Sequence, residues 1–211
     1  AAVNEALSGS VAWDGKVGIE LPYHAGATYN VELNGDLKNV SSHLPSPLAK
    51  PAGEPLAVNV KVDGNLNSFE LTGQAGADNH FNSRWLLGQK LTLDRAIWAA
   101  DSKTLPPLPE QSGVELNMPP MNGAEWLALF QKGAAESVGG AASFPQHITL
   151  RTPMLSLGNQ QWNNLSIVSQ PTANGTLVEA QGREINATLA MRNNAPWLAN
   201  IKYLYYNPSV A

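Results

Sequence analysis

Leu56, Val58, Val60 and Val62 alternate with Ala57, Asn59 and Lys61. Residues two apart share one face of a strand, so this run predicts a strand with one apolar and one polar face. Asp63-Gly64 follows as a turn signal, and Phe69-Glu70-Leu71-Thr72 returns. Together they predict an antiparallel hairpin that opens a meander. The same patterning predicts strands at Ala6 to Trp13, Gly15 to Leu21 and Thr28 to Val40, with Asp14-Gly15 as a hairpin turn. Alternation is strict in Tyr29-Asn30-Val31-Glu32-Leu33. Further strands are predicted at Phe81 to Leu87 and Leu91 to Ala99, turning at Gly88-Gln89-Lys90. In the second of these Leu91, Leu93 and Ile97 are apolar, and a slip of register near Arg95 predicts a bulge. The final third predicts strands at His147–Leu157, Gln161–Gln170, Thr176–Gly182, Ile185–Arg192 and Trp197–Asn207, with Gly158-Asn159 and Asn174-Gly175 at turns.

Two proline-rich stretches interrupt the strands. Ser41 to Pro55 carries four prolines and Leu105 to Pro109 reads Leu-Pro-Pro-Leu-Pro. Proline cannot donate to a ladder, so both are predicted to be crossing loops. A short strand, Gly113 to Met118, precedes the single predicted helix, at about 122–132. Asn122 with Glu125 three residues later forms a capping box, and Met121 with Trp126 is placed as a hydrophobic staple. Lys132 favours the helix dipole and Gly133 can end the helix. Its apolar side carries Trp126, Leu127 and Phe130. Ala134 to Ser143, with Gly139-Gly140, is expected to be mobile. The predicted class is mainly β: about a dozen antiparallel strands in a meander, with one short amphipathic helix and two proline-rich loops.

Composition narrows the function. Only 14% of the 211 residues are charged, the net charge is −4, and the 13 basic residues are scattered. A phosphate-tracking patch for nucleic acid is therefore not expected. There is no cysteine, which removes disulfides, thiolate zinc sites and cysteine nucleophiles. The longest apolar stretch, Trp126 to Phe130, is far too short to span a bilayer. Ala1 to Ser10 lacks the basic start and apolar core of a signal peptide. The chain is expected to be a piece of a longer protein, with any export signal or anchor outside it. His24, His43, His80 and His147 show no metal-ligand spacing, and no nucleophile elbow, P-loop or dinucleotide fingerprint occurs. Asp36, Asp63, Asp78, Asp94 and Asp101 mostly sit at turns or strand ends, where Asp serves the backbone. A carboxylate pair meeting only in space stays open. The expectation is no enzyme, no metal and no cofactor.

Four segments together resemble the AsmA-like family. They are Leu44-Pro45-Ser46-Pro47-Leu48-Ala49-Lys50; Gly113-Val114-Glu115-Leu116 leading to Trp126-Leu127-Ala128-Leu129-Phe130; Leu157-Gly158-Asn159-Gln160-Gln161-Trp162-Asn163-Asn164-Leu165; and Ala195-Pro196-Trp197-Leu198-Ala199-Asn200-Ile201. Each is weak alone; their order and spacing give the match its specificity. The resemblance implies a central or C-terminal part of a periplasmic protein of Gram-negative bacteria, anchored in the inner membrane by a segment outside this chain. It implies a long, curled antiparallel meander forming an open β-groove that carries phospholipid between membranes, with the outer membrane or envelope proteins as further partners. On that division residues 1–105 would form one groove segment, 106–145 would hold the proline-rich loop, the helix and the soft stretch, and 146–211 would be a groove segment continuing the same sheet.

On that reading the candidate groove lining begins with Leu56, Val58, Val60, Val62, Phe69 and Leu71. It continues through Leu91, Leu93 and Ile97. After the helix it takes up Leu155, Leu157, Leu165, Ile167 and Leu177, then Ile185, Leu189 and Ile201. Trp126, Leu127 and Phe130 would stand at the groove mouth. The rival expectation is a closed β-sandwich that buries its apolar faces on each other and binds a glycan or a partner protein.

Overall fold

The structure is a computed structural model that describes residues 7–135 and 142–208, with the side chains of 130–135 and 142 outside the description. Twelve strands follow one another across a single sheet: β2 (Trp13–Glu20), β3 (Thr28–Asp36), β5 (Ala57–Asn65), β6 (Ser68–Ala75), β7 (Asn79–Leu87), β8 (Leu91–Ala99), β9 (Gly113–Asn117), β12 (Ile148–Leu157), β13 (Gln160–Thr172), β14 (Gly175–Gln181), β15 (Ile185–Arg192) and β16 (Leu198–Leu204). Two short strands join it, β10 (Met121–Asn122) beside β12 and β11 (Ala142–Ser143) beside β8. A separate ribbon pairs β1 (Leu7–Ser8) with β4 (Ser41–Ser42). The helix α1 spans Gly123–Ala135.

The sheet is antiparallel on both flanks and parallel in the middle, where β9 pairs with β8 and with β12 in parallel. Parallel neighbours need a crossover. The first crossover is the loop 100–112. Arg95 holds it by donating to the Pro109 and Glu110 carbonyls at 3.2 and 2.8 Å, and the Asn82 amide donates to the Pro106 carbonyl at 3.0 Å. The second crossover carries α1. The Asn122 carboxamide oxygen accepts from the Ala124 and Glu125 N–H groups at 3.1 and 3.4 Å, as an N-cap should. Met121 and Trp126 meet in one apolar cluster with Ala100, Met118, Leu155 and Leu165. Of the stretch expected to be mobile, Ala134 and Ala135 close α1 and Ala142–Ser143 form β11; 136–141 lie outside the described residues.

Two turn assignments are corrected. Asp14-Gly15 lies inside β2, opposite Asn34 and Leu33, and Asp63-Gly64 lies inside β5, opposite Glu70 and Phe69. The glycines serve packing there. A Cβ at Gly64 would come within 2.6 Å of the Phe69 Cβ and 2.7 Å of the Tyr29 hydroxyl, and one at Gly15 within 2.7 Å of Leu33. Glycine inside a strand marks such close approach. The hairpin turns two residues later, where the Asn65 side chain accepts from the Asn67 and Ser68 N–H groups at 2.8 and 3.0 Å.

The sheet does not close. The outermost strands β2 and β16 are not paired with each other. A closed barrel is thereby excluded. The surface area agrees. The chain exposes 13461 Å² at 22.5 kDa, whereas a compact globule of that mass exposes about 9,500 Å². Large apolar side chains such as Val17, Ile19, Leu198 and Ile201 are among those left exposed.

Glu184 ties the far flank together. It is buried at the β14–β15 turn, where its carboxylate accepts from the Asn163 N–H and carboxamide, both at 2.7 Å, and from Asn207 at 3.0 Å. The chain beyond β16 is thereby held across β13, where Gln161 N–H donates to the Asn207 carbonyl at 3.0 Å. Burial pushes this carboxyl up, but the bonds from Asn163, Asn207 and its own N–H outweigh burial and hold it below the usual Glu range. A depressed folded-state pKa gives stability that is complete above the unfolded value and is lost as pH falls through the folded value. Glu184→Gln should therefore cost about 2–4 kcal/mol near neutral pH. Urea unfolding as a function of pH checks this: the parent loses stability on acidification and the variant loses less.

Candidate functional site

Register decides which side chains share a face, because directly opposed residues lie on the same side of a sheet. One row runs Val17, Val31, Val62, Leu71, Ser83, Ala96, Val114, Ile148, Ser169, Val178, Leu189, Ala199. The row beside it runs Gly15, Leu33, Val60, Gly73, Phe81, Trp98, Leu116, Leu150, Ile167, Ala180, Ala187, Ile201. Both rows cross all twelve strands, and neither holds a charged side chain. At about 4.8 Å per strand they extend for roughly 50 Å.

The row on the other face reads Lys16, Glu32, Lys61, Thr72, Asn82, Ile97, Glu115, Thr149, Val168, Glu179, Thr188, Asn200. Charged and hydroxyl side chains dominate it. The sheet therefore separates an apolar face from a polar one over its full width.

Val58, Val60, Val62, Phe69 and Leu71 all stand on the apolar face. Leu91 and Leu93 join them, opposite Leu87 and Trp85. Arg84 opposes Arg95 while Trp85 opposes Leu93, which leaves Asp94 as an extra residue. This is the bulge expected near Arg95. Its consequence reverses one assignment: beyond it the parity flips, so Ala96 and Trp98 take the apolar face. Ile97 goes to the polar face under the 100–112 loop, where it is 4% exposed. Leu177 opposes Gln170 and Ala190 and is also on the polar face; its neighbour Val178 takes the apolar position. Ile167, Leu189 and Ile201 lie in the two rows, and Ile185 is on the same face, opposite Leu204.

Asn164, with φ 48°, interrupts the alternation opposite Pro153. As a result Leu155 and Leu165 meet in the cluster under α1, although they fall on opposite parities. The α1 start sits on Leu155 and Leu157: a Cβ at Gly123 would be 3.1–3.2 Å from both. Leu127 is 47% exposed, and the Phe130 side chain lies outside the described residues. Val31, Leu33, Phe81, Trp98, Leu116 and Leu150 also line the face, and reading them from sequence needs the register between strands.

The two rows are not equally open. The loop 37–56 folds over the apolar face of β5 to β8 and forms with it a half-open cleft of about 610 Å³. Leu56, Val58, Val60 and Leu71 form part of its wall. The Trp126 indole N–H donates to the Ser46 carbonyl at 3.0 Å, so α1 and the loop are joined across the face. Toward the edges cover is missing, and Val17, Ile19 and Ile201 are 56–69% exposed. Aromatic rings gather at the opposite ends of β6 and β7, where Phe69 stacks on Trp85 at 6.1 Å and Phe144 meets Trp85 edge-on at 6.3 Å. Among the described residues there is no group of three metal-ligating side chains, and no helix is long and apolar enough to cross a membrane.

An unclosed sheet with one mainly apolar face and one polar face defines an apolar-trough segment. The chain belongs to the YhdP family, whose family model, described as YhdP protein, matches residues 1–211. This bears out the resemblance carried by the four sequence segments. It is 99% identical over 210 residues to the protein named "Intermembrane phospholipid transporter YhdP" from Escherichia coli (strain K12). That alignment covers 100% of this chain and 17% of the length of that relative. No solved structure matches the chain.

The face assignment has a stability signature. Ile97→Ala, which empties a buried site, should cost about 2–4 kcal/mol, and Val62→Ala, on the half-open face, about 1 kcal/mol or less. Paired urea titrations of the two variants check the difference.

Proposed function

We propose that this segment carries the acyl tails of phospholipids between the inner and outer membranes. It does so as a periplasmic part of a longer protein anchored in the inner membrane outside these residues. The observation that carries the reading is the pair of mainly apolar rows, neither with a charged side chain, that cross the whole sheet. The relative's name, a phospholipid transporter, supports the ligand class.

The physical need is large. A two-tailed lipid has about 30 methylenes, so exposing them to water costs roughly 24 kcal/mol at about 0.8 kcal/mol each. A trough of Val, Leu, Ile and Phe side chains removes most of that cost and leaves the headgroup in water. Neighbouring positions along the rows are chemically alike, so a tail can shift by one strand with little change in energy. Transport of this kind uses no bond making or breaking. The far end of the path would deliver lipid to the outer membrane or to an envelope protein there.

Gly73 offers a clean test. It stands in the second apolar row between Val60 and Phe81, and a Cβ built there meets only ordinary contacts, at 3.8 and 4.0 Å. Gly73→Leu should fold as stably as the parent while filling the trough. In the full-length E. coli relative carrying this substitution, phospholipid recovered by native mass spectrometry should fall severalfold. Lys61→Gln, on the polar face, should leave it unchanged. Lipid-free parent protein, or equal effects of the two variants, would overturn the reading.

A further inference from the structure

We infer that the cavity beneath the 37–56 loop is a holding station for a single phospholipid, with a tail in the cavity and the phosphate at the Lys50 ammonium. The inference rests on the lipid reading above and adds a defined site to it. Most of the trough is a repeated, open surface. This part is roofed by the loop into a half-open cleft, and a cation lines it.

The loop is built as a rigid roof. Its ends are tied where the Leu37 N–H donates to the Leu56 carbonyl at 2.8 Å, and Gly53 N–H donates to the Lys38 carbonyl at 2.7 Å. Asp36 fixes both ends at once, accepting from the Lys38 and Leu56 N–H groups at 2.9 and 3.0 Å. Ser42 and Lys50 exchange two backbone bonds, at 2.7 and 3.0 Å. Leu44 is 9% exposed, pointing inward from the roof, and Trp126 holds the tip from α1. A compact loop packed by its own side chains keeps its shape. The cavity below, between Leu44 and Pro47 above and Val58, Val60, Phe81 and Trp98 beneath, has about 610 Å³. That lies within the roughly 300–1,000 Å³ range of ligand pockets.

Lys50 lines this cavity, as does the exposed Glu54. The Lys50 ammonium donates to the Val40 carbonyl at 2.9 Å and the Pro51 carbonyl at 3.0 Å. An ammonium has three N–H donors, so two neutral acceptors leave one donor and the whole positive charge uncompensated. The ion pairs among the described residues are Arg95–Asp94, Lys103–Asp78 and Arg151–Glu115; Glu54 is not within ion-pair distance of Lys50. The two carbonyls hold the charge at a slot whose wall is mainly Leu, Val, Pro and aromatic side chains, with Ser42, Glu54, Gln74, Asn79 and His80 as its other polar members. An amphiphile with a hydrocarbon tail and a phosphate ester answers both demands, since lysine binds phosphate as a point charge.

The test is photo-crosslinking in the full-length E. coli relative with p-benzoylphenylalanine in place of Leu44, and separately in place of Val178 as a trough control. Phospholipid should crosslink at both positions. Lys50→Gln, which can still donate to the two carbonyls, should lower phospholipid capture at position 44 about tenfold. Lys50→Arg should retain it. Capture of added diacylglycerol at position 44 should not respond to either variant, and Val178 capture should be unaffected throughout. Crosslinking at neither position would overturn the lipid reading itself. Crosslinking at Val178 with none at 44, or a Lys50→Gln effect equal for phospholipid and diacylglycerol, would overturn the station alone. Inorganic phosphate added without lipid should show no Lys50-dependent binding by phosphorus NMR; such binding would assign the site to the free ion.

Discussion

In-register pairing is the constraint on which this structure depends. Side chains alternate with period two, so a one-residue slip would move a strand's whole apolar set to the other face. Eleven successive pairings keep the two apolar rows aligned from β2 to β16. Two of the sheet's irregularities are matched. The extra Asp94 in β8 reverses parity, and the sequence beyond it already supplies Ala96 and Trp98 at the positions that need to be apolar. At Pro153 and Asn164 both strands of the hairpin break alternation opposite each other, so Leu155 and Leu165 still meet.

The stability of such a sheet has an unusual source. A sandwich gains most from burying its faces, but here the buried apolar side chains are few and cluster around α1 and the 100–112 loop. Backbone ladders and local ties carry the remainder. Glu184 gathers three donors at one flank, Arg95 pins a crossover to the polar face, and Asp36 closes the base of the roof loop. Placing these polar ties at turns and on the polar face leaves the apolar face uninterrupted. The polar ties and the apolar rows thus draw on different residues of the same strands.

The two crossovers also divide the labour. One, the proline-rich 100–112 loop, lies on the polar face and covers Ile97. The other brings α1 onto the apolar face beside Leu155 and Leu157, where its Trp126 reaches the roof loop. A parallel centre is what makes both crossovers necessary, and it puts the helix near the middle of the sheet rather than at an edge.

Much of this was legible in the sequence. Period-two alternation located nearly every strand, and Asn122 with Glu125 located the helix start, because both signals depend on neighbours in the chain. The four family segments placed the chain correctly. What sequence could not show depends on partners far along it. Gly15 and Gly64 carry turn chemistry in their dipeptides, yet they sit within strands because Leu33, Tyr29 and Phe69 from neighbouring strands occupy the space a Cβ would need. Leu177 and Val178 are equally apolar, and only pairing with Gln170 and Ser169 decides which faces the trough. The roof over β5 to β8 is a tertiary fact as well, made where Trp126 reaches a carbonyl 80 residues away. Local pattern determined that strands with two unlike faces would form; the register between strands decided which residues make one continuous apolar surface, because a face belongs to the sheet and not to any single strand.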